Sequence, residues 1–532
     1  MLPVAEALPD SGDRRAGLAA LPDSGTGAAA SDAAVYTAGV YGAQILAFAA
    51  GVIQKGLLGP RLTGYWTLVS TLMVFLALAP LGVFDGATRQ VPAERGRGRF
   101  RSAAALADTA ASFTVATFAV GGIVVAVIAL AFGGGWAPEV RYGLVVLGLL
   151  APLRAVVDCH TLVYQITKRF APLVAGLILT AAIVLAVQTV LVYFLGYWGM
   201  FVGVATSLVG TLVLWQRLGL AGLQRPAFRW RIDLGLIKEL LPVGIPIMLF
   251  GQIWLLFMAI DSLLVVKLLD ATQLGYYALG VSVTSYILLL PKSIGAALFP
   301  RMQERFAPDR DVGAIRRYAV DVQAMLALSV IPLLVGSAFF LVPVLIRQAL
   351  PAFIPGIVVV HILVAGSFLI ALVHMPIELR ITTGRRWTVT ILLLACLAFN
   401  AAANYVAIGV LDEGIKGAAF ATALSYFVLL VATTVYGLRL TLSAGRLARH
   451  LALILGAFAY VVGTLWAIEL LSEPSPAVGA AEDIGVAVAQ LAIFGVAMTP
   501  LLLLAERHYA ALSTAWSLVV SGVRRGLGLI QR

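Results

Sequence analysis

Apolar runs of about twenty residues recur along the whole chain, separated by short polar gaps, and each run is long enough to cross a hydrocarbon core as a helix. We read about fourteen spans, at roughly 35–57, 63–85, 106–132, 140–161, 171–195, 198–216, 240–264, 275–298, 318–345, 352–375, 387–410, 415–438, 448–470 and 484–505. Short segments alternating apolar and polar residues, the mark of a transmembrane barrel, are absent.

The gaps carry a second pattern. "RQVPAERGRGRFR" (89–101), "KRF" (168–170), "QRPAFRWRIDLGLIK" (224–238), "RMQERFAPDRDVGAIRR" (301–317), "RITTGRR" (380–386) and "RLTLSAGRLAR" (439–449) fall on one side of the bundle. "GGGWAPE" (133–139), "LGYW" (195–198), "DEGIK" (412–416) and "SEPSPAVGAAED" (472–483) fall on the other. Only Lys55, Arg61, Arg141, Lys267, Arg347 and Lys416 break the alternation. Basic loops stay cytoplasmic, so the pattern predicts an even number of spans with both termini inside, in a plasma (inner) membrane. Residues 1–34, with "LPDSG" twice and no apolar core of a signal peptide, read as a disordered cytoplasmic tail. Residues 506–532 are too polar to span; Tyr509, Leu512, Trp516, Val519, Val523, Leu527 and Ile530 recur at helical spacing, an interfacial amphipathic helix.

The chain also repeats itself. "LLGPRLTGYWTL" (57–68) returns as "LLDATQLGYYAL" (268–279), "YQITKRFAPLV" (164–174) as "LRITTGRRWTV" (379–389), and "ATSL" (205–208) as "ATAL" (421–424). The offset runs from 211 to about 216 residues, so spans one to six and seven to twelve are two copies of one unit. Each copy has an even number of spans and inserts the same way up. The expected fold is an all-α polytopic bundle: a lobe at 35–218, a basic linker at 219–239 and a second lobe at 240–440. A cleft lies between the lobes, and two extra spans follow at 441–505.

A mean hydropathy of +0.98 with 12% charged residues excludes a soluble chain of this size. The net charge of +11 lies in the short loops, so it reports topology and not nucleic-acid binding. Cys159 and Cys396 lie in or at the end of apolar runs and read as small buried hydrophobes, not a disulfide framework.

"LLGPRLTGYWTL" followed by "LGVFDGATRQVPAE" resembles the start of polysaccharide-transport proteins of the multidrug/oligosaccharidyl-lipid/polysaccharide (MOP) flippase superfamily. "MAIDSLLVVKLLDATQLGYYALGVSV" (258–283) resembles the opening of that family's second lobe, and "NYVAIGVLDEGIKGAAFATALSYF" (404–427) its last repeat hairpin. The resemblance covers nearly all of 35–440 and rests on small-residue and turn patterns. It implies a Wzx-like flippase that moves a polyprenyl-diphosphate-linked oligosaccharide, a polysaccharide precursor, by alternating access. Lipid II flippases are a near neighbour and multidrug (MATE) exporters a more distant one. A monomer is expected, with glycan polymerase or ligase machinery and membrane lipids as further partners and no cofactor.

Ionisable residues inside a span mark function unless they are paired or wet. Arg154, Asp158, Thr161 and Gln165 share a face of span four, where Arg154 and Asp158 can pair along the helix and Arg154 can meet a phosphate. The alternative is an ordinary helix end entering the interface. Tyr41, Gln44, Gly51 and Lys55 share a face of span one, with Lys55 equally able to snorkel outward. Lys292, after Pro291 and on one face with Ser285, is the costliest cation and is read as substrate-binding. Asp261 and Lys267 fit gate or coupling groups, electrostatic partners of Lys292, or equally an ordinary helix-end pair. His374 and Glu378, at i, i+4, fit a proton-responsive pair, or an interfacial helix end after Pro376. Asn400 and Asn404 share a face of span eleven and suit interhelical hydrogen bonding. Gln44, Gln252, Trp254 and Tyr277 are the amide and aromatic surfaces available to sugars.

A lipid diphosphate needs cations along a low-dielectric path, whereas an exporter of organic cations needs unpaired carboxylates. Candidate buried carboxylates are few, namely Asp85, Asp158 and Asp261, which favours the anionic substrate. A cation-coupled multidrug exporter is the alternative. A membrane enzyme fits less well: the outer loops are short, and there is no phosphate-binding loop, metal cluster or nucleophile elbow.

Overall fold

The computed structural model describes residues 26–167, 169–220, 229–306, 312–439, 441–472 and 479–509. Every regular element among them is helical, and 13 helical stretches are long and apolar enough to span a membrane. The chain is therefore a multi-pass, all-helical membrane protein. The two "LPDSG" segments, part of the basic linker (221–228) and residues 510–532 of the amphipathic segment lie outside the described residues.

The first helix, α1 (Thr26–Val74), explains the difference between 13 stretches and about fourteen spans. At 1.5 Å per residue its 49 residues would reach roughly 74 Å, more than twice a hydrocarbon core. Gly59, at φ 71° and ψ 175°, breaks it into two arms, and Pro60 follows. Only glycine adopts that backbone cheaply, and proline removes the next donor. The tail expected to be disordered as far as residue 34 is helical from Thr26, because "TGAAASDAA" is rich in alanine, the strongest helix former.

The second expected span also ends early. A turn at Pro80–Gly82 separates it from α2 (Val83–Gly96), since Leu81 and Gly82 both take positive φ. The turn packs glycine to glycine on α7 (Leu234–Phe257): a Cβ on Gly244 would collide with the Gly82 carbonyl, and one on Gly86 with the Leu240 carbonyl. Val83, Ala87, Val91, Leu106, Ile237 and Leu240 close over this crossing. The long helices α3 (Phe100–Phe132) and α4 (Pro138–Ile166) meet the same way at Gly122 and Gly148, the small-residue contact that replaces hydrophobic driving force in a bilayer. Helices α5 (Phe170–Leu195) and α6 (Tyr197–Leu220) complete this part.

The chain divides into two compact units at residues 255/256, inside α7. The second unit holds α8 (Ile260–Leu268), α9 (Ala271–Ile287), α10 (Leu289–Phe306), α11 (Val312–Leu328) and α12 (Val330–Ala349). It continues with α13 (Ile357–Ala371), α14 (His374–Thr382), α15 (Arg386–Tyr405), α16 (Gly414–Leu438), α17 (Ala444–Leu471), α18 (Ala480–Ala497) and α19 (Thr499–Tyr509). Helix α13 is apolar all round and forms the centre of the unit, in contact with α9, α12, α16 and α17.

The extra hairpin α17–α18 is pegged to this unit by polar contacts. Arg347 donates to both carboxylate oxygens of buried Asp483, at 2.6–3.2 Å, and Gln348 adds a third donor. Nearer the basic loops, His450 meets Gln323 at 2.9 Å, and Gln323 in turn reaches the Leu372 carbonyl and Thr434. Two more basic residues that break the loop alternation are also engaged: Arg141 caps the carbonyls of Ala129 and Leu130, and Arg61 reaches Tyr65.

The internal repeat has a structural signature. After α4 the amides of Thr167 and Arg169 bond the carbonyls of Val163 and Tyr164; after α14 those of Thr383 and Arg385 bond Leu379 and Arg380. The same helix end therefore recurs 216 residues later, from "ITKR" and "ITTGR".

Candidate functional site

The densest buried polar cluster among the described residues is in the second unit. Helix α7 ends at Phe257, two residues turn, and α8 starts at Ile260, so Asp261 lies in the first turn of a helix. An acidic group there is favoured by the helix dipole. Asp261 is 2% exposed. Its Oδ2 accepts from the hydroxyl of Tyr277 on α9 and from that of Thr422 on α16 at 3.3 Å; its Oδ1 accepts from the Ser262 amide at 3.0 Å. Tyr277 and Thr422 are themselves 3.0 Å apart. Hydroxyls and an amide, not a cation, hold this carboxylate.

One turn along α16, Ser425 donates to Asn400 Oδ1 at 3.1 Å, and Asn404 Nδ2 donates to the same oxygen at 2.6 Å. Asn400 Nδ2 reaches the Phe257 carbonyl at 3.3 Å, at the break between α7 and α8. Asn404 Oδ1 is buried and accepts no hydrogen bond. Immediately after it, Val406–Val410 forms a π turn, a local overwidening that recurs at functional positions. A buried acid, hydroxyls and an orphan amide oxygen on four helices form a polar cluster with the chemistry to exchange a small cation or a proton.

Tyr277 is wholly buried beside Asp261 and offers no surface to a sugar, which corrects the expectation for it. Asp261 makes no ion pair with Lys267 or Lys292; hydroxyls on α9 and α16 meet it first, because the α7–α8 break turns it into the helix packing. Of the two residues expected to bond between helices, Asn400 does so, to Ser425 of α16 and the Phe257 carbonyl of α7, whereas Asn404 bonds within α15, to the carbonyl and Oδ1 of Asn400.

The remaining candidates are spread over the two units. On α4, Arg154 Nε bonds both oxygens of Asp158 at 3.0 Å, with side chains 64% and 37% exposed. Gln165 continues that exposed face, while Thr161 turns back to the Val157 carbonyl. On the first arm of α1, Gln44 and Lys55 are half-buried. In the second unit Lys292 is exposed on α10, with Pro291 in the first turn, where a missing amide costs nothing. His374 opens α14 and Glu378 lies one turn on, both half-buried.

Two residues of the first unit were missed from sequence. Buried Gln54 donates to the Val184 carbonyl at 3.1 Å and to Thr189 at 3.3 Å, and buried Gln188 donates to the Met200 carbonyl. They surround a π turn at Val184–Gln188 in α5, whose widened backbone presents the carbonyl that Gln54 takes. An amide among apolar residues was the available signal.

The fold is one already seen. Its solved neighbours include an inward-facing multidrug resistance MATE family transporter of the MOP superfamily, at TM-score 0.60 and 15% identity, over 76% of this chain and 95% of that one. The lipid II flippase MurJ, inward closed, matches at TM-score 0.60 and 14% identity, over 86% and 97%. A MOP superfamily transporter from Pyrococcus furiosus, described as having a binding pocket of reverse polarity, matches at TM-score 0.53 and 17% identity, over 79% and 95%. No curated protein matches the chain. The protein thus has the MOP-superfamily transporter fold. Within it, residues 104–350 match the family described as "Polysaccharide biosynthesis protein", in agreement with the resemblance in the sequence.

Proposed function

We propose that the protein is a flippase that carries a polyprenyl-diphosphate-linked oligosaccharide from the cytoplasmic to the outer leaflet by alternating access. The observation that carries this reading is a match to a polysaccharide biosynthesis family laid on a MOP transporter fold. The exposed cations support it: Arg154 and Lys292 present charge within apolar runs of α4 and α10, where an anionic diphosphate loses its water. Asp261 is the coupling group, and Asn404 Oδ1 is the acceptor a proton donor or monovalent cation takes up. The basic loops face the cytoplasm, and the membrane is the inner one.

The test is native mass spectrometry of the protein purified gently from its own membranes, comparing the parent with Arg154→Ala and Lys292→Ala. A co-purified diphosphate glycan lost in the variants is the expected result. A small cationic amphiphile in its place overturns the substrate class. A diphosphate lipid retained by both variants overturns the assignment of the two cations.

A further inference from the structure

We infer that the segment Arg229–Leu234, between the first six spans and α7, is a seat for anionic phospholipid in the leaflet on the side of the basic loops. Residues 229–233 are non-helical and Leu234 opens α7; the stretch reads Arg-Trp-Arg-Ile-Asp-Leu. Arg229 and Arg231, whose main chain is anchored on α3, alternate in sequence with the apolar Trp230, Ile232 and Leu234.

The backbone is held by two buried polar groups of α3. Asp108 Oδ1 accepts from the Arg229 amide at 3.1 Å, and Ser112 Oγ bridges the Arg229 carbonyl and the Arg231 amide, at 3.3 and 2.9 Å. Asp108 is 8% exposed and Ser112 wholly buried. These contacts engage the main chain of Arg229 and Arg231 and leave both side chains exposed. Trp230, Ile232 and Leu234 are 63%, 48% and 70% exposed. Three large apolar side chains in a row have no reason to face water at the mouth of a membrane bundle; they match the acyl boundary, with tryptophan at its preferred depth.

The charge around the segment selects the headgroup. Asp108 lines a crevice with Arg95 of α2, and Arg169 lies close enough to Arg95 to repel it. Glu94, the acid of that loop, is already held by Arg97 at 2.6 Å and Arg99 at 3.5 Å. Arg231 shares its guanidinium with Asp233 and stays half exposed; Arg229 is exposed. The surface beside the apolar row is therefore cationic, which suits phosphate oxygens of an anionic lipid and gives a zwitterionic one no advantage.

The experiment uses the full chain, with Cys159→Ala and Cys396→Ala, carrying a bimane on Ile232→Cys and reconstituted in bilayers. Quenching by brominated phosphatidylglycerol is compared with quenching by brominated phosphatidylcholine. The expected result is quenching by both, with a preference for phosphatidylglycerol. That preference disappears in Arg229→Gln/Arg231→Gln and survives in Arg229→Lys/Arg231→Lys. Two surface cations are worth up to roughly thirtyfold in relative lipid affinity. Absence of quenching by either lipid places the segment in water and overturns the inference. Equal quenching by both lipids, or a preference unchanged by Arg→Gln, overturns the part played by the two arginines.

Discussion

Replacing Asp261 by Asn keeps the side-chain volume and removes the charge. If the Asn carbonyl takes the place of Oδ2, the Tyr277 and Thr422 hydroxyls still have their acceptor. Each bond falls from charge-assisted to neutral, a loss of about 1 kcal/mol apiece. The new amide then meets the Ser262 amide donor to donor, a further cost of about 1–3 kcal/mol. Against this, the variant no longer buries an ionised group, which costs several kcal/mol even after relaxation. The terms nearly cancel, so net stability should move by no more than about 2 kcal/mol, or roughly 4–8 °C in melting midpoint for a unit of this size. Transport should respond differently: without a titratable or cation-binding oxygen pair, gradient-driven flipping in proteoliposomes should fall at least about tenfold, the equivalent of 1.4 kcal/mol. The assay pairs thermal melting with uptake under imposed proton and sodium gradients. A melting midpoint lowered by well over 10 °C, with gradient-driven transport intact in the folded fraction, would show that Asp261 is a structural peg and refute the coupling role.

Four further outcomes follow from particular contacts. Arg347→Ala leaves Asp483 buried without its cation and should lower stability by about 3–5 kcal/mol; Arg347→Met with Asp483→Leu should recover most of it, as followed by thermal melting. Gly59→Ala meets no neighbouring atom, so its cost is the backbone alone, about 1–3 kcal/mol; Gly244→Ala drives a methyl into the Gly82 carbonyl and should cut the yield of folded protein far more. The bond from Arg231, then those from the Leu236 and Gly235 amides, hold the Asp233 carboxyl below the usual aspartate range. Its stabilisation is therefore present above the ordinary aspartate pKa and lost as pH falls through the lowered folded value; the acid limb of a melting-against-pH curve should flatten in Asp233→Asn. Tyr277→Phe removes one donor to Asp261 while keeping the carboxylate, and should weaken gradient-driven transport less than Asp261→Asn does.

Much of the fold is written in the sequence itself. Hydrophobic run length sets helices in a bilayer because backbone groups there have no other partner, so the span positions were legible to within a few residues in most cases. Local chemistry was legible too: the Gly59-Pro60 break, the Arg154–Asp158 pair at i, i+4, and the duplicated "ITKR"/"ITTGR" helix ends all follow from residues close in sequence. The early stop at Pro80–Gly82 was not, although the turn is local; its packing on Gly244 of α7, more than 150 residues away, appears only in the fold.

The site divides the same way. Asp261, Asn400 and Asn404 stood out as polar residues in apolar runs, which burial alone makes costly. That Asp261 answers to Tyr277 and Thr422, and not to a lysine, depends on where a helix break aims one side chain and which helices α8 packs against. Gln54 and Gln188 gain their meaning only from a π turn that opens a carbonyl between them. Sequence sets which groups cannot stay unpartnered in the membrane; only tertiary structure chooses the partner, because hydrogen bonds close over a few ångströms between residues far apart along the chain.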